Sequence, residues 1–179
     1  TMSIISHNPA TGEDIQKFEE LTDIQIKDKI AKAEAAFESY KKLSIEKRSE
    51  MIRFVARHLR EKKSLYGTLI TEEIGRPLAP SIAEIEKCAV ACEYYASHGP
   101  EMLKREIVAT DAKESYISLE PLGIVFAVMP WNFPFWQVLR FAAPALIAGN
   151  VGLLKHASNV PRCAEAIEKI FLECGYEEG

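Results

Sequence analysis

Asn132, Arg140 and Lys155 carry polar chemistry into an otherwise apolar stretch. Asn132 lies in Pro130-Trp131-Asn132-Phe133-Pro134, directly after the apolar run Ile124–Met129, and Lys155 follows a second run over 151–154. A short amide held between aromatic and proline residues suits a rigid NH2 donor for an oxyanion developing on a carbonyl. The same side chain could instead cap a helix starting at Pro134. The residues alone leave both readings open. Phe133, Gln137 and Arg140 are four and then three apart, so they share a helix face. A guanidinium there can grip a carboxylate through two parallel hydrogen bonds, or pair with a surface acid. Lys155 can hydrogen-bond a ribose hydroxyl or sit near a phosphate, although most loop lysines do neither. Neither run is followed by G-x-G-x-x-G, so the usual dinucleotide fingerprint is absent.

The elements that must position these residues follow from the pattern around them. An apolar run as long as Ile124–Met129 fits a strand buried on both faces in a parallel sheet. Pro134 suits the first turn of a helix over 135–148, with Val138, Leu139, Ala142 and Leu146 on one side and Gly149-Asn150 at its end. A strand, a crossover helix and a second strand form a βαβ unit with both strands parallel. Ligands bind beyond the carboxyl ends of such strands. The loops holding Trp131-Asn132 and Lys155 are therefore expected to face one crevice.

Earlier in the chain, segments 3–8 and 14–20 flank the turn residues Pro9-Ala10-Thr11-Gly12 and read as a hairpin or two extended arms. Thr22 or Asp23 caps a helix with Ile26, Ile30, Ala33, Phe37 and Tyr40 on its buried face. Ser44 starts a second helix that buries Ile52, Val55, Ala56 and Leu59. A third, over 64–74, stops at Gly75. A fourth starts at Pro80, where Ser81 and Glu84 have capping-box spacing, and stops at Gly99-Pro100. Segments 107–110 and 114–120 read as strands around Asp111-Ala112-Lys113. Two exposed strands need a cover for their edge, so this hairpin is the candidate oligomer contact. A last helix runs over 161–174. The expected divisions are a helical part over 1–106, an oligomerisation hairpin over 107–120 and the start of a Rossmann-like sheet over 121–179.

Composition narrows the function classes. A net charge of −4 with no clustered Lys and Arg argues against a nucleic-acid surface. Asn132, Gln137, Arg140 and three prolines interrupt the longest apolar stretch, so it is not a membrane span. No signal-peptide pattern is present. Thr1 ahead of Met2 reads as a residue left by a cloned tag. The four cysteines, Cys88, Cys92, Cys163 and Cys174, fall in helical patterns without metal-ligand spacing. They read as reduced core cysteines of a cytoplasmic protein with no metal site.

Several of these segments, in order, resemble the aldehyde dehydrogenase superfamily. They are the opening Asn8-Pro9-Ala10-Thr11-Gly12-Glu13, Glu73-Ile74-Gly75-Arg76-Pro77, Pro121-Leu122-Gly123, the 130–134 run, Pro144-Ala145-Leu146 with Gly149-Asn150, and Lys155 with Pro161. The wording around 135–140 and 150–161 is similar to the short bacterial succinate-semialdehyde dehydrogenases. The resemblance implies an α/β fold: N-terminal helices, the first βαβ unit of a dinucleotide-binding domain and a protruding hairpin for oligomerisation.

It also implies a division of roles. Asn132 would help form the oxyanion hole. Val128, Met129, Pro130, Trp131 and Asn132, with Lys155, His156, Ala157 and Ser158, would border NADP or NAD. Phe133, Gln137 and Arg140 would meet a small aldehyde, Arg140 by its carboxylate. Phe141 stands where the superfamily commonly has a lysine. Ser158 stands where NAD-preferring relatives carry a glutamate, so NADP is expected to be accepted. Superfamily members are more than twice this length, and their catalytic Cys and Glu lie beyond residue 179. The chain is therefore expected to be the N-terminal portion of a homo-oligomer and inactive alone. The alternative is a truncated, non-catalytic assembly or interaction module.

Overall fold

Residues 3–179 are described by the computed structural model; Thr1 and Met2, including the expected start, lie outside the described residues. The first two strands, β1 (Ser3–His7) and β2 (Asp14–Glu19), form an antiparallel hairpin, the first of the two readings of the turn chemistry at 9–12. Helix α1 (Asp23–Tyr40) starts with a complete capping box between Thr22 and Gln25. Ala33, Ala36 and Tyr40 are its buried residues. Ile26 and Ile30, expected on the buried face, are 45% and 41% exposed. Only the second half of α1 lies on the sheet, and its first half overhangs.

Three further helices carry the core. They are α2 (Ile45–Glu61), capped by Ser44, α3 (Lys63–Ile74) and α4 (Leu78–Met102). Gly75 closes α3 at φ 70°, a left-handed conformation that costs glycine nothing. Helix α4 lies against α2, α3 and α5 (Pro134–Ile147). It differs from expectation at both ends. It begins at Leu78, and Ser81 is a buried interior residue whose Oγ donates to the Pro77 carbonyl at 3.0 Å. It also continues through Pro100 to Met102. Pro100 has no N–H to give the Ala96 carbonyl, and Arg53 Nη2 donates to that oxygen instead at 2.9 Å.

The second hairpin, β3 (Glu106–Ile107) with β4 (Tyr116–Ile117), is antiparallel but only two residues long on each side. Strands β5 (Ile124–Met129) and β6 (Val151–His156) are parallel, joined by α5, and α6 (Pro161–Glu173) follows. Their register pairs Met129 with His156, so both strands end level. Lys155 therefore belongs to the strand rather than to the loop after it. Ala127, Met129, Leu154 and His156 alternate toward the α5 side. Ile124, Val151 and Leu153 meet α1 on the other. That second face is not closed. Phe126 is 66% and Val128 64% exposed, where burial on both sides was expected. A single core cluster, from Ile52 in α2 to Ile170 in α6, joins the N-terminal helices to the βαβ unit.

Candidate active-site crevice

Both helices that follow the strands start with proline at the first position and lack a side-chain cap of their own. Their orphan N–H groups are satisfied from elsewhere. Glu84 of α4 accepts from Phe135 and Trp136 N–H through one oxygen, both at 2.9 Å. Glu73 of α3 caps α6 through both of its oxygens, accepting from Arg162 N–H at 2.8 Å and Cys163 N–H at 2.9 Å. It also accepts from the buried Ser6 hydroxyl at 2.7 Å, which ties β1 to the same point. In many nucleotide folds a helix N-terminus takes an anion. Here both N-termini already hold a buried carboxylate.

This arrangement removes one of the two readings of Asn132. Its amide does not cap α5, because Glu84 does. The backbone carbonyl of Asn132 accepts from Arg76 Nη2, while Arg76 Nη1 is paired with Glu84. The same guanidinium lies 4.3 Å from the centre of the Phe133 ring. Trp131, Asn132 and Phe133 are exposed around the strand end.

On the β6 side, Ala157 N–H donates to His156 Nδ1 at 2.9 Å, so the ring proton sits on Nε2, which donates to the Pro134 carbonyl at 2.9 Å. Burial holds the imidazole below its usual pKa, and so neutral. His156 thus staples the end of β6 to the start of α5 and is buried there. Met129 and Ala157 also pack against the core. Val128 and Lys155 pair on the opposite, exposed face, and Ser158 is exposed just beyond. Among the residues expected to border a cofactor, alternation therefore turns Val128 and Lys155 outward and Met129 and His156 inward, while Ser158, past the strand, is exposed.

Gln137 is partly buried, and Arg140 is exposed on α5. Nearby arginines pair with acids, Arg76 with Glu84 and Arg162 with Glu72. Arg140 enters no ion pair among the described residues. The Phe141 ring packs 3.5 Å from where a side chain on Gly152 would begin, filling the space between α5 and β6. Burial pushes the Cys92 thiol up to about 12 and Cys174 up to about 11, and raises Cys88 and Cys163 as well. A thiol so disposed is a poor nucleophile.

Arg76, Glu84, Glu73 and His156 act as supports, a role that reading the sequence did not give them. Their signal was available in part. Glu73 and Glu84 stand one turn from the core residues Ile70 and Cys88, where a carboxylate needs a buried partner.

The model of the aldehyde dehydrogenase family matches residues 1–179. A probable NADP(+) succinate-semialdehyde dehydrogenase of Synechocystis is 48% identical over 178 residues, covering 99% of this chain and 39% of that protein. The succinate semialdehyde dehydrogenase [NAD(P)+] Sad of Escherichia coli is 40% identical, covering 98% and 38%. A crystal structure of succinic semialdehyde dehydrogenase from Streptococcus pyogenes, in complex with NADP+, superposes with a TM-score of 0.93 at 33% identity, covering 98% of this chain and 39% of that one. The chain thus spans about two fifths of the length of the curated relatives it matches.

Proposed function

Because the chain belongs to the aldehyde dehydrogenase family, we propose that it is the N-terminal segment of an NADP- or NAD-dependent enzyme oxidising a small carboxylated aldehyde, such as succinate semialdehyde, to the acid. The observation that carries this reading is the Asn132 amide. It stands at the end of a parallel strand and is released from capping by Glu84. In the complete enzyme it donates to the aldehyde oxygen as that atom gains negative charge. Phe133 and Gln137 line the approach to it, and Arg140, exposed and unpaired among the described residues, receives the far carboxylate.

Val128, Lys155 and Ser158 form an outward strip at the level strand ends. The strip carries a cation and a hydroxyl but no carboxylate, a donor set that fits a ribose bearing either a 2′-hydroxyl or a 2′-phosphate. Pro130, Trp131 and the backbone at Met129, His156 and Ala157 complete that border. When bound, the nicotinamide cofactor supplies the hydride acceptor. The nucleophilic cysteine and general base come from outside these 179 residues, in keeping with four raised thiol pKa values, and the chain alone is inactive. The β3–β4 hairpin, with exposed Ile107, Tyr116 and Ile117, is the contact through which the full-length enzyme forms a homo-oligomer. The unpaired thiols suit a reducing, cytoplasmic setting.

The test is Arg140→Ala in the full-length enzyme. A charge-assisted pair of hydrogen bonds is worth about 1.5–3 kcal/mol, so kcat/KM for succinate semialdehyde should fall roughly 10- to 100-fold. A neutral aldehyde of similar length should be almost unaffected. Equal losses on both substrates would remove the carboxylate role.

A further inference from the structure

We infer that Arg76 is a positioning residue for catalysis: it holds the Asn132 peptide so that the side-chain amide faces the reacting carbonyl. The inference rests on the oxyanion role proposed above and supplies the restraint that this role needs.

The 130–134 loop is fixed by its own sequence only at the edges. Pro130 and Pro134 set their own φ angles, and Pro134 also restricts Phe133. Trp131 and Asn132 lie between them and are exposed. Arg76 reaches this gap from the turn between α3 and α4. One nitrogen of its guanidinium donates to the Asn132 carbonyl and another to Glu84, while its Cζ lies over the Phe133 ring, 4.3 Å from the ring centre. The Arg76 side chain is 16% exposed and that of Glu84 only 1%, so the fork is anchored in the core rather than at the surface.

Around Asn132, His156 holds the Pro134 carbonyl and Glu84 holds Phe135 and Trp136 N–H. Arg76 is the one side chain in this set that acts on Asn132 itself. It binds the backbone carbonyl and leaves the amide nitrogen available. A planar fork orients two partners and a ring at once, which an ammonium group cannot do. A misplacement of about 1 Å in such a group is enough to cost on the order of 10²-fold in rate.

A double-mutant cycle in the full-length enzyme, with succinate semialdehyde and NADP, separates positioning from general support. Arg76→Met and Arg76→Lys should each lower kcat by about tenfold or more, with both KM values within about twofold of wild type. Asn132→Ala should lower kcat by about 10²-fold. In the Asn132→Ala background the Arg76 changes should cost nothing further. Where Arg76→Met does not accumulate as folded enzyme, Arg76→Lys carries the same comparison. Equal losses of kcat in both backgrounds, or unchanged kcat in both Arg76 variants, overturn the inference. A wild-type kcat for Asn132→Ala overturns instead the oxyanion role beneath it.

Discussion

At Pro134 a carbonyl is held by His156, and at Phe135 and Trp136 two N–H groups are held by Glu84. These contacts show how far a residue's role depends on neighbours distant in the chain. Asn132 was legible as a donor or as a cap from its place before Pro134, but what removes the cap reading lies in α4. His156 was legible only as one of the residues expected to border a cofactor at a strand end. Its ring accepts from Ala157 and donates to Pro134, a pattern that protonation would break. Its pKa is lowered, first by burial, and that of His58 is lowered for the same first reason. With the folded value below the unfolded one near 6.5, the unfolded chain binds more protons through that window. The histidine contribution is thus complete above about pH 6.5 and is lost as pH falls from there through the folded values. Urea midpoints should therefore be level between about pH 8 and 7 and fall toward about pH 5.5, with a shallower fall in His156→Gln. A fall of the same steepness in that variant would mean that His156 is not part of the linkage.

Among the elements, starts and stops fixed by local chemistry follow the sequence closely. Thr22 caps α1, Ser44 caps α2 and Gly75 ends α3. The departures are the two ends of α4 and the strand lengths of the β3–β4 hairpin, two residues a side where longer strands were expected. Ser81 and Glu84 have the spacing of a capping box, yet Glu84 caps α5 across 51 residues of chain. The spacing rule carries no information about a partner helix. Glu73 plays the matching part for α6 and also receives Ser6 from β1. Glu73→Ala would leave three donors, two of them buried, without their acceptor. It should cost about 2–4 kcal/mol, against about 1 kcal/mol for Thr22→Ala at the exposed cap of α1. Chemical denaturation of the two variants checks the order; a smaller loss at Glu73 would contradict the cap assignment.

In the molecule as a whole, one core joins the helices to the βαβ unit, while the sheet has two strands and one open face among the described residues. No helix among them is long and apolar enough to cross a membrane. Phe126 and Val128 stand side by side along the open face, with Leu122 exposed before the strand. Contiguous apolar surface of this kind is expected to be covered by further protein. The 179-residue chain by itself should therefore bind a dye such as anilinonaphthalene sulfonate, and the Phe126→Ser/Val128→Ser double variant should lose most of that fluorescence. Unchanged fluorescence in the double variant would place the accessible apolar surface elsewhere.

The sequence by itself determined the βαβ order, the caps of α1 and α2, the stop of α3, the family and the polar residues at the strand ends. Each of these is written in periodicity, in proline and glycine placement or in short motifs, all of which act within a few residues. Tertiary structure alone decided that Asn132 is not a cap, that His156 and Met129 turn inward while Val128 and Lys155 turn outward, and that Arg76 grips the loop. Buried polar groups must find partners wherever the fold brings them. Glu73, Glu84 and Arg76 find theirs on segments that only packing makes neighbours.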